Sequence, residues 1–351
     1  MARGSGLMRP GVLEALGAAL LFGAGTPLAK RLLQGIEPWT LAGLLYLGSG
    51  VGLTAWRVAT RAARVRMGLG ETLWLSMAVA FGGVLGPVLL MLGLARMHAS
   101  AAALLLNAES VFTVLLAWIV FRENVDRRIA LGMLAIVAGA VLLSGGGSAA
   151  WSLHELAPSA LVLGACLAWG IDNNVTRKVS LADATWVASI KGLVAGAVNL
   201  ALARVVGAAL PPPGLAGAAL LVGLLAYGVS LSLFVVALRH LGAARTGAYF
   251  SVAPFFGALL AVASGDPVTL PLLLAAALMA VGVWLHLTER HEHLHVHEEL
   301  EHEHAHVHDA HHQHTHDVAV AAGVSHSHRH RHEALVHSHV HAPDAHHRHE
   351  H

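Results

Sequence analysis

Apolar residues in this chain come in long unbroken runs. Ten runs can be marked, near residues 11–30, 38–56, 72–94, 99–121, 128–144, 157–176, 184–206, 214–237, 246–264 and 270–288. A helix that rises 1.5 Å per residue needs about 20 such residues to cross a bilayer core. Each run therefore predicts one transmembrane helix. None shows the period-2 alternation of an outer-membrane barrel strand. None shows the polar face of a soluble amphipathic helix. Turn and charge signals separate the runs: Gly35-Ile36-Glu37-Pro38, Arg122-Glu123-Asn124, a glycine-rich stretch at 144–148, Pro211-Pro212-Pro213 and Gly265-Asp266-Pro267. Small residues recur four apart, as in Gly48 and Gly52, Gly82 and Gly86, and Gly192 and Gly196. In lipid such pairs let helix backbones pack closely. The first run follows Arg3 and Arg9, but no small-x-small cleavage site closes it, so it reads as a helix and not as a signal peptide.

Composition changes the picture at one end. Of 351 residues, 56% are hydrophobic and 12% charged, with a mean hydropathy of +0.62. Soluble domains carry about 25% charge, so an ordinary soluble enzyme is excluded. Yet 23 of the 27 histidines lie between His291 and His351, with 10 of the 21 acids and only 3 of the 22 Lys and Arg. The near-zero net charge hides a body of +8 and a tail of −7 with His neutral. The single cysteine, Cys166, excludes an intrachain disulfide.

Charge also orients the helices. With the N-terminus inside, inside segments hold 13 Lys and Arg and outside segments hold 4. The positive-inside bias then places both termini in the cytoplasm. The plasma (inner) membrane of a bacterium is the expected location.

The two halves resemble one another. Leu16-Gly17-Ala18-Ala19-Leu20-Leu21-Phe22-Gly23 matches Leu163-Gly164-Ala165-Cys166-Leu167-Ala168-Trp169-Gly170, and Lys30-Arg31 falls on Arg177-Lys178. Later, Glu123 falls on Asp266 and Gly139 on Gly282. Five helices per half is an odd number, so the halves enter the membrane from opposite sides. The expected fold is an all-α integral membrane protein with ten transmembrane helices as two inverted five-helix repeats, plus a disordered His-rich tail. The segments are a cytoplasmic N-terminus at 1–10, repeats at 11–146 and 157–288, a linker at 147–156 and a cytoplasmic tail at 289–351.

Two five-helix units, an acid after the fourth helix of each (Glu123, Asp266) and a glycine in the fifth (Gly139, Gly282) resemble the EamA-like branch of the drug/metabolite transporter superfamily. The resemblance covers about residues 11–288 and none of the tail. It implies a cytoplasmic N-terminus and alternating-access transport of small molecules. Family members move amino acids, nucleotide-sugars, purines, drugs and other solutes, so the resemblance does not name a cargo. The family pattern places a proline in the fourth helix of each unit. Pro254 supplies it in the second half, while the matching position in the first is Ser110, beside Glu109.

Charges within the apolar runs are the candidate chemistry. A charge at a helix centre costs about 2.5–3.5 kcal/mol on insertion scales, so such groups face the bundle interior and pair. Glu109, Asp172 and Lys191 are the three. Asn107, Asn173, Asn174, Asn199, Trp169 and Tyr227 share or adjoin their faces, and together they form the candidate substrate and coupling site. Asp172 and Lys191 can pair, either for transport or only to fix packing. Glu109 lacks a second cation, which suits a carboxyl that exchanges a proton with substrate.

The tail groups His291, His293, His295 and His297; His302, His304, His306 and His308; His311, His312, His314 and His316; His326, His328, His330 and His332; His337, His339 and His341; and His346, His347, His349 and His351. The dominant i, i+2 spacing puts imidazoles on one side of an extended segment. Imidazole favours Zn, Ni, Co and Cu, so the tail is expected to bind divalent metal. Low-complexity expansion and pH sensing are its other readings. The composition cannot form a core.

The reading reached is a secondary transporter, expected to export a small metabolite, whose tail senses or buffers divalent metal. The alternatives are a divalent metal (Ni, Co or Zn) exporter and a non-transporting, membrane-anchored metal store. The body histidines His98, His154, His240 and His286 lie at or near helix ends, which weakens the metal-cargo reading. No nucleophile–base set, phosphate loop or catalytic-metal motif suggests an enzyme, and no cofactor is expected for transport. The expected partners are the lipid bilayer, a small-molecule substrate and divalent metal ions, with room left for a homodimer and none for nucleic acid.

Overall fold

The computed structural model describes residues 11–62, 65, 67–121, 126–144, 153–176, 183–241 and 243–288, and in the tail 292–297, 300–306, 326–332 and 335–340. The N-terminus at 1–10, Glu123, and residues 147–152 of the expected linker lie outside these. So do His291, His308, His311, His312, His314, His316, His341, His346, His347, His349 and His351.

The body is all helical, as the runs predict. Its helices are α1 (Val12–Leu32), α2 (Pro38–Ala59), α3 (Leu69–Leu94), α4 (Ala99–Val120), α5 (Arg127–Ser144), α6 (Leu153–Thr176), α7 (Ala184–Val205), α8 (Pro213–Ala237), α9 (Thr246–Ala263) and α10 (Leu270–Leu287). Among the described residues nine of them are long and apolar enough to cross a membrane. The exception is α2, whose glycines, Ser49, Thr54 and Arg57 lower its apolarity. It packs against α7, α8 and α3, so protein covers much of it. Leu13, Val51, Ile119, Leu134, Leu221, Leu259 and Val281 lie exposed on the outside of the bundle. An apolar exterior of this kind suits lipid and not water.

The packing repeats itself with a shift of five helices. Helix α1 meets α8 and α9; α6 meets α3 and α4. Helix α2 meets α8, and α7 meets α3. The pairs α2–α7, α4–α9 and α5–α10 map onto themselves. Local irregularities obey the same rule. A π-helical stretch interrupts α3 at Val79–Leu85 and α8 at Leu224–Val229. After a short break, α4 resumes at Ala108 and α9 at Ala253, 145 residues apart. At that shift Glu109, and not Ser110, stands opposite Pro254.

Glycines set the central contact. A Cβ on Gly50 would lie 2.4 Å from the Leu193 nitrogen, and one on Gly192 2.6 Å from the Gly50 nitrogen. Helices α2 and α7 therefore touch backbone to backbone. Helix ends are tied across the bundle. Lys30 Nζ donates to the Leu94 and Ala95 carbonyls at the end of α3, at 2.7 and 3.2 Å. Asp266, the acid after α9, accepts the Ser100 N–H in the first turn of α4 at 2.8 Å, where a carboxylate also meets the positive end of the helix dipole.

The tail is a separate unit beginning at Arg290. Within it β1 (Glu292–His297) pairs antiparallel with β4 (Leu335–Val340), and β2 (Leu300–His306) with β3 (His326–His332). Composition alone predicts no order here. The alternation of His with other residues is nevertheless that of a strand.

The glycine contact gives a test. Gly50→Leu should destabilise the protein by roughly 1–3 kcal/mol through overpacking. Gly217→Leu on α8, where nothing lies within 4 Å, should be near neutral. Thermal unfolding midpoints of the purified protein in detergent compare them, and equal losses would contradict the contact.

Candidate functional site

The site begins with a missing proton. Pro87 has no N–H, so the Gly83 carbonyl four residues earlier loses its helical donor. Nearby, the Gly86 N–H bonds to Phe81 five residues back. The helix widens into a π turn, a feature frequent at functional sites, and the Gly82 carbonyl is released as well. Three side chains from three other helices take up these acceptors. Tyr46 of α2 donates its hydroxyl to the Gly82 carbonyl at 2.7 Å. Trp169 of α6 donates Nε1 to the same oxygen at 2.9 Å. Asn199 of α7 donates to the Gly83 carbonyl at 3.0 Å.

The absence of side chains at Gly82 and Gly83 lets α6 and α7 approach. A Cβ on Gly82 would overlap the Asp172 carboxylate, and one on Gly83 would lie 2.6 Å from the Ala195 Cβ. Asp172 and Lys191 form an ion pair in that space. Asp172 is buried, Lys191 half-buried, and Thr176 donates to the other carboxylate oxygen at 3.0 Å.

Three consecutive polar residues on α6 point about 100° apart, as 3.6 residues per turn require, and each does a different job. Asp172 holds Lys191 on α7. Asn173 donates to Glu109 Oε1 on α4 at 2.8 Å and to Thr113 Oγ1 at 3.2 Å. Asn174 donates to the Thr113 and Gly170 carbonyls at 3.0 and 2.9 Å, joining α6 to α4. Among the described residues Glu109 has no cationic partner in contact; Asp172 and Lys191 act on it only through space.

Asn107 goes elsewhere. It is buried and donates its side-chain amide to the Leu104 carbonyl at 2.9 Å, at the break in α4. Tyr227 lies 5.7 Å from Tyr46 and 5.9 Å from Phe22, ring centre to ring centre. The structure thus gathers Glu109, Asn173, Asp172, Lys191 and Trp169, puts Tyr227 beside Tyr46, and uses Asn107, Asn174 and Asn199 mainly to bind backbone. Tyr46, Gly82 and Gly83 are the members that sequence reasoning missed. A proline four residues after a glycine was the signal for the last two. The charges break the repeat: Glu109, Tyr46 and Gly82 come from the first half, Asp172, Asn173 and Lys191 from the second.

The pattern of the EamA-like transporter family matches residues 9–145 and again 157–288. The chain belongs to the EamA-like transporter family. One relative, an uncharacterized transporter of Methanothermobacter thermautotrophicus, is 28% identical over 292 residues, 78% of this chain and 85% of its own. A second match is a protein of Pseudomonas fluorescens named "Probable 4-amino-4-deoxy-L-arabinose-phosphoundecaprenol flippase subunit ArnE". It is 39% identical over 71 residues, 20% of this chain and 61% of its own. A solved crystal structure superposes with a TM-score of 0.59 at 18% identity, over 79% of this chain and 95% of that one, and shares the fold. This EamA chain is thus a multi-pass membrane transporter.

Where α2 ends and α7 begins, a cavity of about 410 Å³ is lined by residues that include Thr54, Arg57, Arg61, Trp186 and Ser189. Arg57 pairs there with Asp183 at 2.8 Å and donates to Thr185 at 2.7 Å. Partial burial alone would raise the Asp183 carboxyl. Hydrogen bonds from Thr185, Arg57 and the Trp186 N–H outweigh that and bring it from 3.8 to about 2.

Two tests follow from this geometry. Removing one member of the buried pair, as in Asp172→Asn or Lys191→Met, should cost about 3–5 kcal/mol. Removing both should cost less than the sum of the two. Thermal unfolding of the three variants measures this, and additive losses would contradict the pairing. Asp183→Asn should lose roughly 0.5–1 kcal/mol at pH 7, a surface-pair magnitude because Asp183 is 43% exposed. A lowered folded-state pKa stabilises above the unfolded value and ceases to as pH falls through the folded one. The gap between wild type and variant should therefore close between pH of about 4 and 2. A gap that did not change with pH would refute the assignment.

Proposed function

We propose that this protein exports a small polar metabolite by alternating access, with Glu109, Asn173 and the Asp172–Lys191 pair as its substrate and coupling site. One observation carries the proposal: charged groups from both repeats converge at their junction, beside Trp169, Tyr46 and Tyr227. In inverted-repeat carriers, rocking of one repeat against the other opens such a junction to each side in turn. Glu109 is held by an amide, so its carboxylate is free to take up an ammonium group of the solute or a proton. Lys191 holds Asp172, which an incoming carboxylate can displace.

The excess of Lys and Arg places the face where α1 begins in the cytoplasm, as expected in a bacterial inner membrane. The tail then lies on the side from which export starts, where it binds divalent metal and makes flux respond to it. A metal cargo is less well supported. Among the described residues no three His, Cys, Asp or Glu side chains gather to hold an ion, and Asp172 is occupied by lysine.

Purified protein in vesicles, screened with amino acids, other zwitterionic metabolites, divalent metals and a lipid-linked aminosugar, tests the reading. Flux of one small metabolite is expected. Glu109→Gln should reduce it at least about tenfold, the scale of a lost charge-assisted contact, and abolish its pH dependence. Deleting residues 289–351 should leave flux intact but insensitive to metal. Flux that stays pH-dependent in Glu109→Gln removes the coupling role, and metal flux without metabolite flux overturns the assignment.

A further inference from the structure

The ends of α2 and α7 are equivalent under the repeat, and the same pair of bonds caps both. At the end of α7 the Gly207 N–H donates to the Arg204 carbonyl and the Ala208 N–H to the Ala203 carbonyl, at 3.2 and 2.9 Å. At the end of α2 the Arg61 N–H donates to Val58 and the Ala62 N–H to Arg57, again at 3.2 and 2.9 Å. Such a cap puts one residue in the left-handed region, and glycine is its usual occupant. Gly207 takes that place with φ 80°. Arg61 takes it with φ 50°, and among the described residues it is the one non-glycine with positive φ. A side chain there strains the backbone. Strain of this kind persists where the side chain has a use.

Arg61 lines the cavity of about 410 Å³ where α2 ends and α7 begins. Two chemistries meet in its walls. Arg57 and Arg61 are basic, while Val58, Val65, Ile190 and Leu193 are apolar. Asp183 and Thr185 hold Arg57, so Arg61 supplies the net charge. Among the described residues no acid pairs with Arg61. The segment is basic throughout: Arg57, Arg61, Arg64 and Arg66 fall within ten residues, and no acid occurs between Glu37 and Glu71. Trp186, in the first turn of α7, lines the same cavity. Indoles at helix ends favour the headgroup level of a bilayer. Val58 is 72% exposed, so the apolar wall reaches the outside of the bundle.

We infer that this cavity binds an anionic phospholipid, with Arg61 on its phosphate and the apolar wall against the upper part of an acyl chain. A guanidinium matches phosphate with two parallel N–H donors. The charge selects a phosphate, and the apolar wall selects one that carries a chain. Basic pockets between membrane helices suit such headgroups. The volume falls within the range of about 300–1,000 Å³ of small-molecule sites. None of Glu109, Asp172, Asn173 and Lys191 lines this cavity, so it is separate from the solute site. In the orientation proposed above it faces the cytoplasmic leaflet, and the binding does not depend on that orientation.

Native mass spectrometry of the purified full-length protein in detergent, titrated with phosphatidylglycerol or phosphatidylcholine, tests the site. One tight equivalent of phosphatidylglycerol is expected. It should bind at least about tenfold more tightly than phosphatidylcholine, the scale of one charge-assisted hydrogen bond. Arg61→Gly should lose this preference. Without lipid it should also melt at a higher temperature than wild type, because the cap regains glycine. Arg61→Asn, which also tolerates the left-handed region, should lose the preference too. Arg204→Ala, at the far end of α7, should keep it. Equal phosphatidylglycerol binding by wild type and Arg61→Gly would overturn the site. Displacement of phosphatidylglycerol by an equal concentration of inorganic phosphate would overturn the lipid in favour of a free anion. A lower melting temperature for lipid-free Arg61→Gly would show that the arginine serves the fold, and would also overturn the inference.

Discussion

A peptide carbonyl in hydrocarbon has no water to bond, so every acceptor released from a helix needs a donor from another helix. In this protein that constraint falls at Gly82 and Gly83. Pro87 and the π turn free two carbonyls there, and Tyr46, Trp169 and Asn199 meet them. These donors belong to α2, α6 and α7, and the acceptors to α3. The same local defect therefore joins both repeats. Without side chains at the two glycines, the Asp172–Lys191 pair has room to form against α3. The opening in α3 thus shapes the site in two ways, through its released oxygens and through the space it leaves.

The frame is symmetric and the chemistry is not. Contacts, π turns and helix breaks recur five helices later, yet Glu109 stands where the other half has Pro254. The two breaks are stabilised differently. Proline removes a donor in α9, while in α4 the Asn107 side chain bonds back to Leu104. A position that needs no proline can carry a carboxyl, and Asn173 from the opposite repeat holds it. The frame is thus shared between the halves, while the charged groups at their junction are not.

Much of this was legible in the sequence. Helix positions follow from the length of apolar runs, because a bilayer imposes one length on every crossing. Asp172 and Lys191 stand out as charges in lipid and do meet. What stayed hidden depends on direction within the bundle. Asn107, Asn174 and Asn199 share the composition of a polar cavity, yet most of their hydrogen bonds go to backbone, which only the helix crossings decide. Tyr46 sits in an unremarkable run, and the Gly82 oxygen it serves has no sequence signature beyond Pro87. In the tail, i, i+2 histidines suggest extended segments, but pairing between residues twenty or more apart is a property of register.

The central claim is that one site between the repeats is open to each side of the membrane in turn. Cys166 is the sole cysteine and is buried, so a Cys166→Ser background with Asn173→Cys carries a single reporter beside Glu109. Its reaction with a membrane-impermeant maleimide, applied to each face of sealed vesicles of known orientation, measures that access directly. Labelling from both faces, slowed when the transported solute is present, is the expected result. Labelling from one face only, unaffected by any transported solute, would contradict the account.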